Sequence, residues 1–249
     1  MIEFNVSLAG KSIHIVTEYP DTAELCRAYL TDSPSDFTVR LTPEDILAER
    51  EHARREYALE GLTAPIPADG QLESLAIYRK IAEKLIDEDI ILFHGSVIAV
   101  DGEAYMFTAK SGTGKSTHTR LWREKFGERA VMVNDDKPLI SIREDGVTVW
   151  GTPWCGKHRL GTNMGAPLRA IAVLERSPEN RIAPISSAEA MPHLLSQTYR
   201  MQDVGKMRKT LILLDRLSRN VGLYRLGCNM DPEAADVAYK GMKGIENEA

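Results

Sequence analysis

Residues 105–117, Tyr-Met-Phe-Thr-Ala-Lys-Ser-Gly-Thr-Gly-Lys-Ser-Thr, run from an apolar strand pattern directly into a glycine-bearing loop. A helix pattern follows, with Leu121, Trp122 and Phe126 on one face. This sequence constrains the fold more than any other part of the chain, because strand, tight loop and helix must follow one another without spacer. Gly112 and Gly114 carry no side chain, so successive backbone N–H groups can turn inward and form a nest for anionic oxygens. Ser116 falls in the first turn of the helix, where unpaired N–H groups and the positive dipole end add to the attraction. Loop residues Lys110, Ser111, Gly112, Thr113, Gly114, Lys115, Ser116 and Thr117 are therefore candidate nucleotide-phosphate ligands. Lys115 is placed to reach the β- and γ-phosphates, and the Ser116 hydroxyl to bind Mg²⁺. The general pattern G-x-x-x-x-G-K-[ST] opens on glycine, whereas this chain has Ala109 there. Alanine fits only at negative φ, so an ordinary backbone conformation is expected at Ala109. A relaxed pattern of this kind arises by chance in roughly a few per cent of chains this long. The flanking strand and helix are what give it weight.

A second constellation lies just downstream, where residues 130–133, Ala-Val-Met-Val, form a short buried strand pattern ending in Asn134, Asp135, Asp136 and Lys137. Carboxylates at the carboxyl end of a strand face the ligand crevice of an open α/β sheet. Phosphoryl transfer uses one carboxylate to hold Mg²⁺ and another to orient or deprotonate the acceptor hydroxyl. An adjacent pair can supply both, and because successive strand residues point to opposite faces, Asp135 and Asp136 are expected to be non-equivalent. The 20 residues from Lys115 to Asp135 accommodate one helix and one returning strand. The competing explanation is a plain turn before Lys137 and Pro138.

The run Phe93, His94, Gly95, Ser96, Val97, Ile98, Ala99, a hairpin over residues 100–104, the glycine loop and the Asp pair occur in an order that resembles the catalytic domain of HPr kinase/phosphorylase. That family's pattern is His-Gly-Val, then Gly-x-Ser-Gly-x-Gly-Lys-Ser, then an Asp-Asp pair. Nucleotide-dependent phosphoenolpyruvate carboxykinases share the same P-loop core, and residues 111–117 are similar to their form Ser-Gly-Thr-Gly-Lys-Thr-Thr. The likeness covers about residues 90–142. It implies that His94 lies beside the γ-phosphate or a metal, that Ser116 and Asp136 serve Mg²⁺, and that Asp135 is the better candidate for the base. It also implies a homo-oligomer. Thr117 stands where HPr kinases carry a glutamate. Without the resemblance, the residues alone favour a hydrogen-bonded structural histidine at a strand start.

Residues 150–163, Trp-Gly-Thr-Pro-Trp-Cys-Gly-Lys-His-Arg-Leu-Gly-Thr-Asn, lack a regular apolar period and bring two tryptophans, three glycines and the cations Lys157 and Arg159 into one loop. Lys157 and Arg159 are candidate clamps for an acceptor or a phosphate, since transferring oxygens require cations that can grip them. Lys206, Arg208 and Arg216 are further candidates for a basic side chain delivered from a distance. Cys155 and His158 form a lone Cys-x-x-His, which makes no zinc site without two more ligands, and Cys26 and Cys228 show no metal spacing.

The 249 residues, 43% hydrophobic, suffice for one large or two modest cores. Three cysteines suit a reducing, cytoplasmic setting. No apolar run approaches the length of a membrane span, and the start of the chain shows no export pattern. A formal net charge of −5 argues against broad nucleic-acid affinity.

Along the chain, alternating segments 2–8 and 12–16 predict a hairpin around Ala9 and Gly10. A helix over 22–30, a strand over 37–41 and a helix from Pro43 to about Tyr57, N-capped by Thr42, are expected next. Residues 62–70 form the best linker. A helix over 72–86 places Leu75, Tyr78, Ala82 and Leu85 on one face, with Ile81 beside them. Beyond the tryptophan loop the expectations are a strand over 168–175, helices over 187–199 and 207–219, a strand over 221–226 and a last helix after Asp231 and Pro232. The expected fold is α/β: a P-loop core of the HPr kinase and phosphoenolpyruvate carboxykinase type over residues 71–249, with a smaller α+β section over residues 1–70. The expected activity is an ATP-dependent, Mg²⁺-assisted kinase acting on a hydroxyl of a small molecule or protein. A nucleotide-binding regulator without turnover and a carboxykinase-like phosphotransferase are the alternatives.

Overall fold

The structure is a computed structural model and describes residues 1–60 and 65–244. By compactness the chain divides into two units, residues 1–84 and 85–249. Residues 62–64 of the expected linker lie outside the described residues.

In the first unit, β1 (Ile2–Leu8) and β2 (Lys11–Thr17) pair antiparallel. Their two-residue turn has positive φ at Ala9 (50°) and Gly10 (77°), the conformation whose twist matches that of the strands. The segment expected to be a helix over 22–30 divides at Cys26 into α1 (Pro20–Leu25) and a 3₁₀ turn over Arg27–Tyr29. Strand β3 (Phe37–Arg40) adds in parallel to β2. Helix α2 (Pro43–Glu60) follows, but the capping runs opposite to expectation: the Asp45 carboxylate accepts from the Thr42 N–H at 2.7 Å and its hydroxyl at 3.1 Å. Helix α3 (Asp69–Leu85) falls, up to Lys84, in this compact unit. Its buried Glu73 is fully satisfied by the Thr17 hydroxyl and by the backbone N–H groups of Glu18 at 2.7 Å and Tyr19 at 3.0 Å.

The second unit is a mixed α/β fold, one sheet with helices on both faces. In chain order it contains β4 (Ile90–Leu92), β5 (Ser96–Val100), β6 (Glu103–Thr108), α4 (Lys115–Phe126), β7 (Ala130–Asn134), β8 (Leu139–Arg143), β9 (Gly146–Trp150), β10 (Gly165–Arg176), β11 (Arg181–Pro184), α5 (Ser187–Gln197), α6 (Val204–Asn220), β12 (Gly222–Cys228) and α7 (Glu233–Lys243). The sheet order is β4-β8-β9-β10-β6-β5-β7, with β12 also pairing with the long β10 and β11 pairing with β12. Strands β6, β10 and β12 run parallel, and β5 is antiparallel to both β6 and β7. It follows that β7 runs parallel to β6, so the segments leaving β6 and β7 and the segment entering β5 share one end of the sheet.

Alternation along the strands feeds two cores. Met106, Val97, Ile171 and Leu223 pack with Ala190 and Leu194 of α5 and Leu213, Leu214 and Leu217 of α6. Tyr105, Phe107, Ile98, Ala172 and Leu226 pack with Leu121, Trp122 and Phe126 of α4 and Ala234, Ala235, Ala238 and Met242 of α7. Among the described residues no helix is long and apolar enough to cross a membrane.

His118, in the first turns of α4, lies in the second core at 2% exposure. Trp122 Nε1–H donates to its Nε2 at 3.1 Å, so the neutral ring carries its proton on Nδ1, which has no hydrogen-bond partner among the described residues. Burial pushes its pKa down to about 4. The unfolded chain takes up this proton near pH 6.5 and the folded chain only near pH 4, so between those values the unfolded state binds more protons and stability falls as pH falls. The full effect is on the order of 3 kcal/mol. His118→Phe removes the titration; its unfolding free energy, followed in urea, should decline less than wild type between about pH 6.5 and pH 4. Parallel declines would show that His118 is not buried as a neutral ring.

Candidate functional site

The glycine loop leaves β6 after Thr108 and enters α4 at Lys115. Gly112 (φ 73°) and Gly114 (φ 124°) both hold positive φ, which explains glycine at those two positions. Ala109 is not among the positive-φ residues, as its side chain requires. Lys110, Ser111 and Gly112 are exposed, and Thr113 closes the turn by donating its N–H (3.3 Å) and hydroxyl (2.8 Å) to the Lys110 carbonyl. Lys115 is buried, and its Nζ donates across the loop to the Ala109 carbonyl at 3.1 Å. Burial pulls the Lys115 pKa below its ordinary value, while Asp136 and Asp135 oppose the fall. Ser116 is exposed and Thr117 half-buried in the first turn of α4.

The Asp pair leaves β7 at the same end of the sheet, and its shape is set by Asn134, which is fully buried. The Asn134 Oδ1 accepts from the backbone N–H of Asp136 and of Lys137, each at 2.8 Å, an Asx turn that forces the chain to reverse. Its amide donates to the Thr152 carbonyl (3.1 Å) and hydroxyl (3.0 Å). Asp135 is buried and accepts from the Ser96 hydroxyl at 2.5 Å. Asp136 is more open, with its side chain 24% exposed between Lys137 Nζ at 2.5 Å and His94 Nε2 at 3.4 Å. The two carboxylates thus occupy different environments, as alternation along an extended chain requires.

His94 sits two residues before β5, its N–H donating to the Gln197 carbonyl at 2.7 Å and its carbonyl accepting from the Thr108 hydroxyl at 3.1 Å. The next N–H, of Gly95, donates to the Asp136 carbonyl at 3.0 Å. Burial above all, and then Lys115, lowers the His94 pKa; Asp136 pulls the other way. The ring is therefore neutral near pH 7 and available as a hydrogen-bond donor or acceptor.

The tryptophan loop folds over the end of β7. Gly161 bridges to Asn134, and Thr162 N–H donates to the Val133 carbonyl at 3.2 Å. Gly151 lies so close that a Cβ there would stand 1.9 Å from the Thr162 carbonyl oxygen and 2.6 Å from that of Val133. Backbone atoms cannot step aside as a side chain can, so Gly151→Ala should cost about 3 kcal/mol or more, which lowers the melting temperature by roughly 6–12 °C. An unchanged melting temperature would contradict the close approach. Lys157 and Arg159 are exposed on the turn that passes Asp136, with Arg159 at φ 50°; among the described residues no hydrogen bond or ion pair holds either side chain to the Asp pair. Cys155 is buried beside the carboxylates and its thiol pKa is raised, mainly by burial. Lys206 and Arg216 do not supply a base to this end: they face Asp87 (3.9 Å) and Asp89 (3.8 Å), and Lys209 also pairs with Asp89 (3.1 Å).

Arg176, at the end of β10, is absent from the sequence-derived candidates and touches the glycine loop directly. It donates from Nη2 to the Gly112 carbonyl at 2.6 Å and from Nε to the Thr113 carbonyl at 3.3 Å. In a planar trans peptide the N–H points opposite to the C=O, so these two contacts also fix the orientation of the Thr113 and Gly114 N–H groups, the first of which donates to the Lys110 carbonyl.

No protein-family model and no curated protein matches the chain. Among solved structures it is similar to the HPr(Ser) kinase/phosphatase from Coxiella burnetii, at 9% sequence identity and a TM-score of 0.33, over 63% of this chain and 99% of that one.

Proposed function

We propose that the chain is an ATP-dependent kinase that transfers the γ-phosphoryl group to a hydroxyl of a small-molecule or protein acceptor. The observation that carries the proposal is the convergence at one sheet end of the glycine loop with buried Lys115, the Asp135 and Asp136 pair, and His94. The loop N–H groups and the start of α4 bind the phosphates, and Lys115 supplies positive charge to the β- and γ-oxygens. Asp135 removes the proton of the acceptor hydroxyl as its oxygen attacks the γ-phosphorus and ADP leaves. His94, neutral and beside Asp136, is a hydrogen-bond partner for the transferring group. Lys157 and Arg159 are the cations available to an anionic acceptor.

Mg²⁺ fits the donors present: the Ser116 hydroxyl and the partly open Asp136 carboxylate are hard oxygens, and Mg²⁺ on a nucleotide is held by one or two such groups together with phosphate oxygens and water. Among the described residues no cluster of three His, Cys, Asp or Glu side chains forms a metal cage, and this mode of binding requires none. When bound, the ion neutralises charge on the phosphates during transfer. A nucleotide-binding regulator is the second reading, favoured by the Asp136 and Lys137 ion pair, which already places a cation on the carboxylate assigned to the metal.

Recognition of the terminal phosphates is tested by thermal unfolding with ATP, ADP and AMP in the presence of Mg²⁺. ATP at about 100 times its dissociation constant should stabilise the fold by about 2.7 kcal/mol, and AMP far less. Equal stabilisation by AMP, or none by ATP, would remove the proposal.

A further inference from the structure

The Asp135 carboxylate is the end of a buried hydroxyl chain that no part of the proposed mechanism yet uses. Ser96, Thr119 and Asp135 are 0%, 1% and 7% exposed. The Ser96 Oγ lies 2.5 Å from Asp135 Oδ1 and 3.1 Å from Thr119 Oγ1. Thr119 belongs to α4, one turn after Lys115, so the chain links the helix that begins with Lys115 and Ser116 to the carboxylate across the start of β5.

Counting protons gives the chain a direction. A carboxylate only accepts, and a hydroxyl has one proton to donate. Ser96 spends its proton on Asp135, so toward Thr119 it can only accept. Thr119 therefore donates to Ser96, choosing it over the carbonyls of Ser116 and Lys115, which lie farther off at 3.3 and 3.4 Å. The result is an ordered relay, Thr119 to Ser96 to Asp135. Hydrogen bonds to a charged group in a water-poor site are the strong ones, and those in series polarise one another.

We propose that Ser96 and Thr119 are positioning residues for the base. They bind Oδ1 of Asp135, fix the plane of the carboxylate, and leave Oδ2 as the oxygen presented to the acceptor hydroxyl. They also set the distance between that oxygen and the phosphate loop, because Thr119 moves with α4. Catalysis by a positioned group is sensitive to misplacement of this kind, whereas binding of the polyphosphate, which uses other residues, is not. The proposal rests on the kinase reading.

The test is the rate of label transfer from γ-phosphate-labelled ATP and Mg²⁺ into the cell-extract fraction that the wild-type protein labels. Ser96→Ala should lower kcat by about tenfold to a hundredfold, with the ATP dissociation constant unchanged; because it leaves the buried Asp135 carboxylate one partner short, the melting temperature should fall too, and kcat is compared well below it. Thr119→Val should lower kcat less. Because Thr119 acts through Ser96, adding Thr119→Val to Ser96→Ala should lower kcat no further. Ser96→Cys keeps the volume with a weak donor and serves the same cycle if Ser96→Ala does not fold. Wild-type kcat in either Ser96 variant, a loss of ATP affinity matching the loss of kcat, or losses that multiply in the double variant would each overturn the positioning role alone. A wild-type protein that binds ATP and labels nothing removes the kinase reading and this proposal with it.

Discussion

Asp135→Asn should abolish most phosphoryl transfer while leaving ATP bound. Asparagine keeps the shape, and its Oδ1 can still accept from the Ser96 hydroxyl now 2.5 Å from the carboxylate, so the local fold is preserved. It cannot take a proton. Loss of a positioned general base lowers kcat by a factor on the order of 10²–10⁴. The substitution also removes a buried negative charge that interacts with Lys115, so affinity for an anionic polyphosphate should hold or rise. Steady-state kcat and equilibrium ATP binding, measured on the same preparation, check this. Asp136→Asn should differ in kind, because Asp136 bonds to Lys137 and faces His94, and its effect should grow as Mg²⁺ is lowered.

Lys115→Ala should lose both binding and transfer. The ammonium is buried, it bridges to the Ala109 carbonyl at 3.1 Å, and it is the cation acting on both carboxylates. Without it the loop loses a tie across its own mouth and the site becomes net negative toward a negative ligand. Removing one preorganised group that stabilises transferring charge lowers kcat/KM by roughly 10²–10³, and the ATP dissociation constant should rise as well. Lys115→Arg should not restore the rate: the planar guanidinium fork cannot occupy the space of a compact ammonium in a buried loop. Calorimetric ATP titration beside the transfer assay separates the two losses.

How much of this was visible in the chain depends on the distance over which each feature is determined. The glycine loop is local chemistry, and Gly112 and Gly114 hold the positive φ that their lack of a side chain allows. The Asp101 and Gly102 turn between β5 and β6 is likewise local, with φ of 53° and 85°. The hairpin of β8 and β9 has a local signal that the expected elements did not include: Leu-Ile-Ser-Ile-Arg and Gly-Val-Thr-Val-Trp flank a Glu144 and Asp145 turn, and Gly146 opens β9 at φ 146°. Trp150 is the last residue of β9 rather than the first of the tryptophan loop. The helix expected over 187–199 stops at Gln197 because Thr198 bridges to Phe93 and Tyr199 donates its N–H to the Leu92 carbonyl at 2.9 Å. Tertiary pairing there overrides helix propensity.

The partners of the site residues were out of reach for a different reason. Ser96 meets Asp135 from 39 positions away, and Arg176 meets Gly112 from 64. Both meetings follow from strand order, β10-β6-β5-β7, and nothing in the residues themselves announces that order. Asn134 carries a weaker signal, since an asparagine at the end of a strand pattern is a turn residue, but its grip on Thr152 depends on a loop that returns from 18 positions on.

The central claim is that this site moves a phosphoryl group onto a hydroxyl. It is tested most directly by incubating the protein with γ-phosphate-labelled ATP, Mg²⁺ and a fractionated cell extract, and then asking where the label goes and whether it withstands acid. The account predicts label in a protein or metabolite fraction, held as an acid-stable phosphate ester and missing when Asp135→Asn replaces the wild type. ATP binding without transfer, or label held only in an acid-labile bond to nitrogen or a carboxylate, would contradict it.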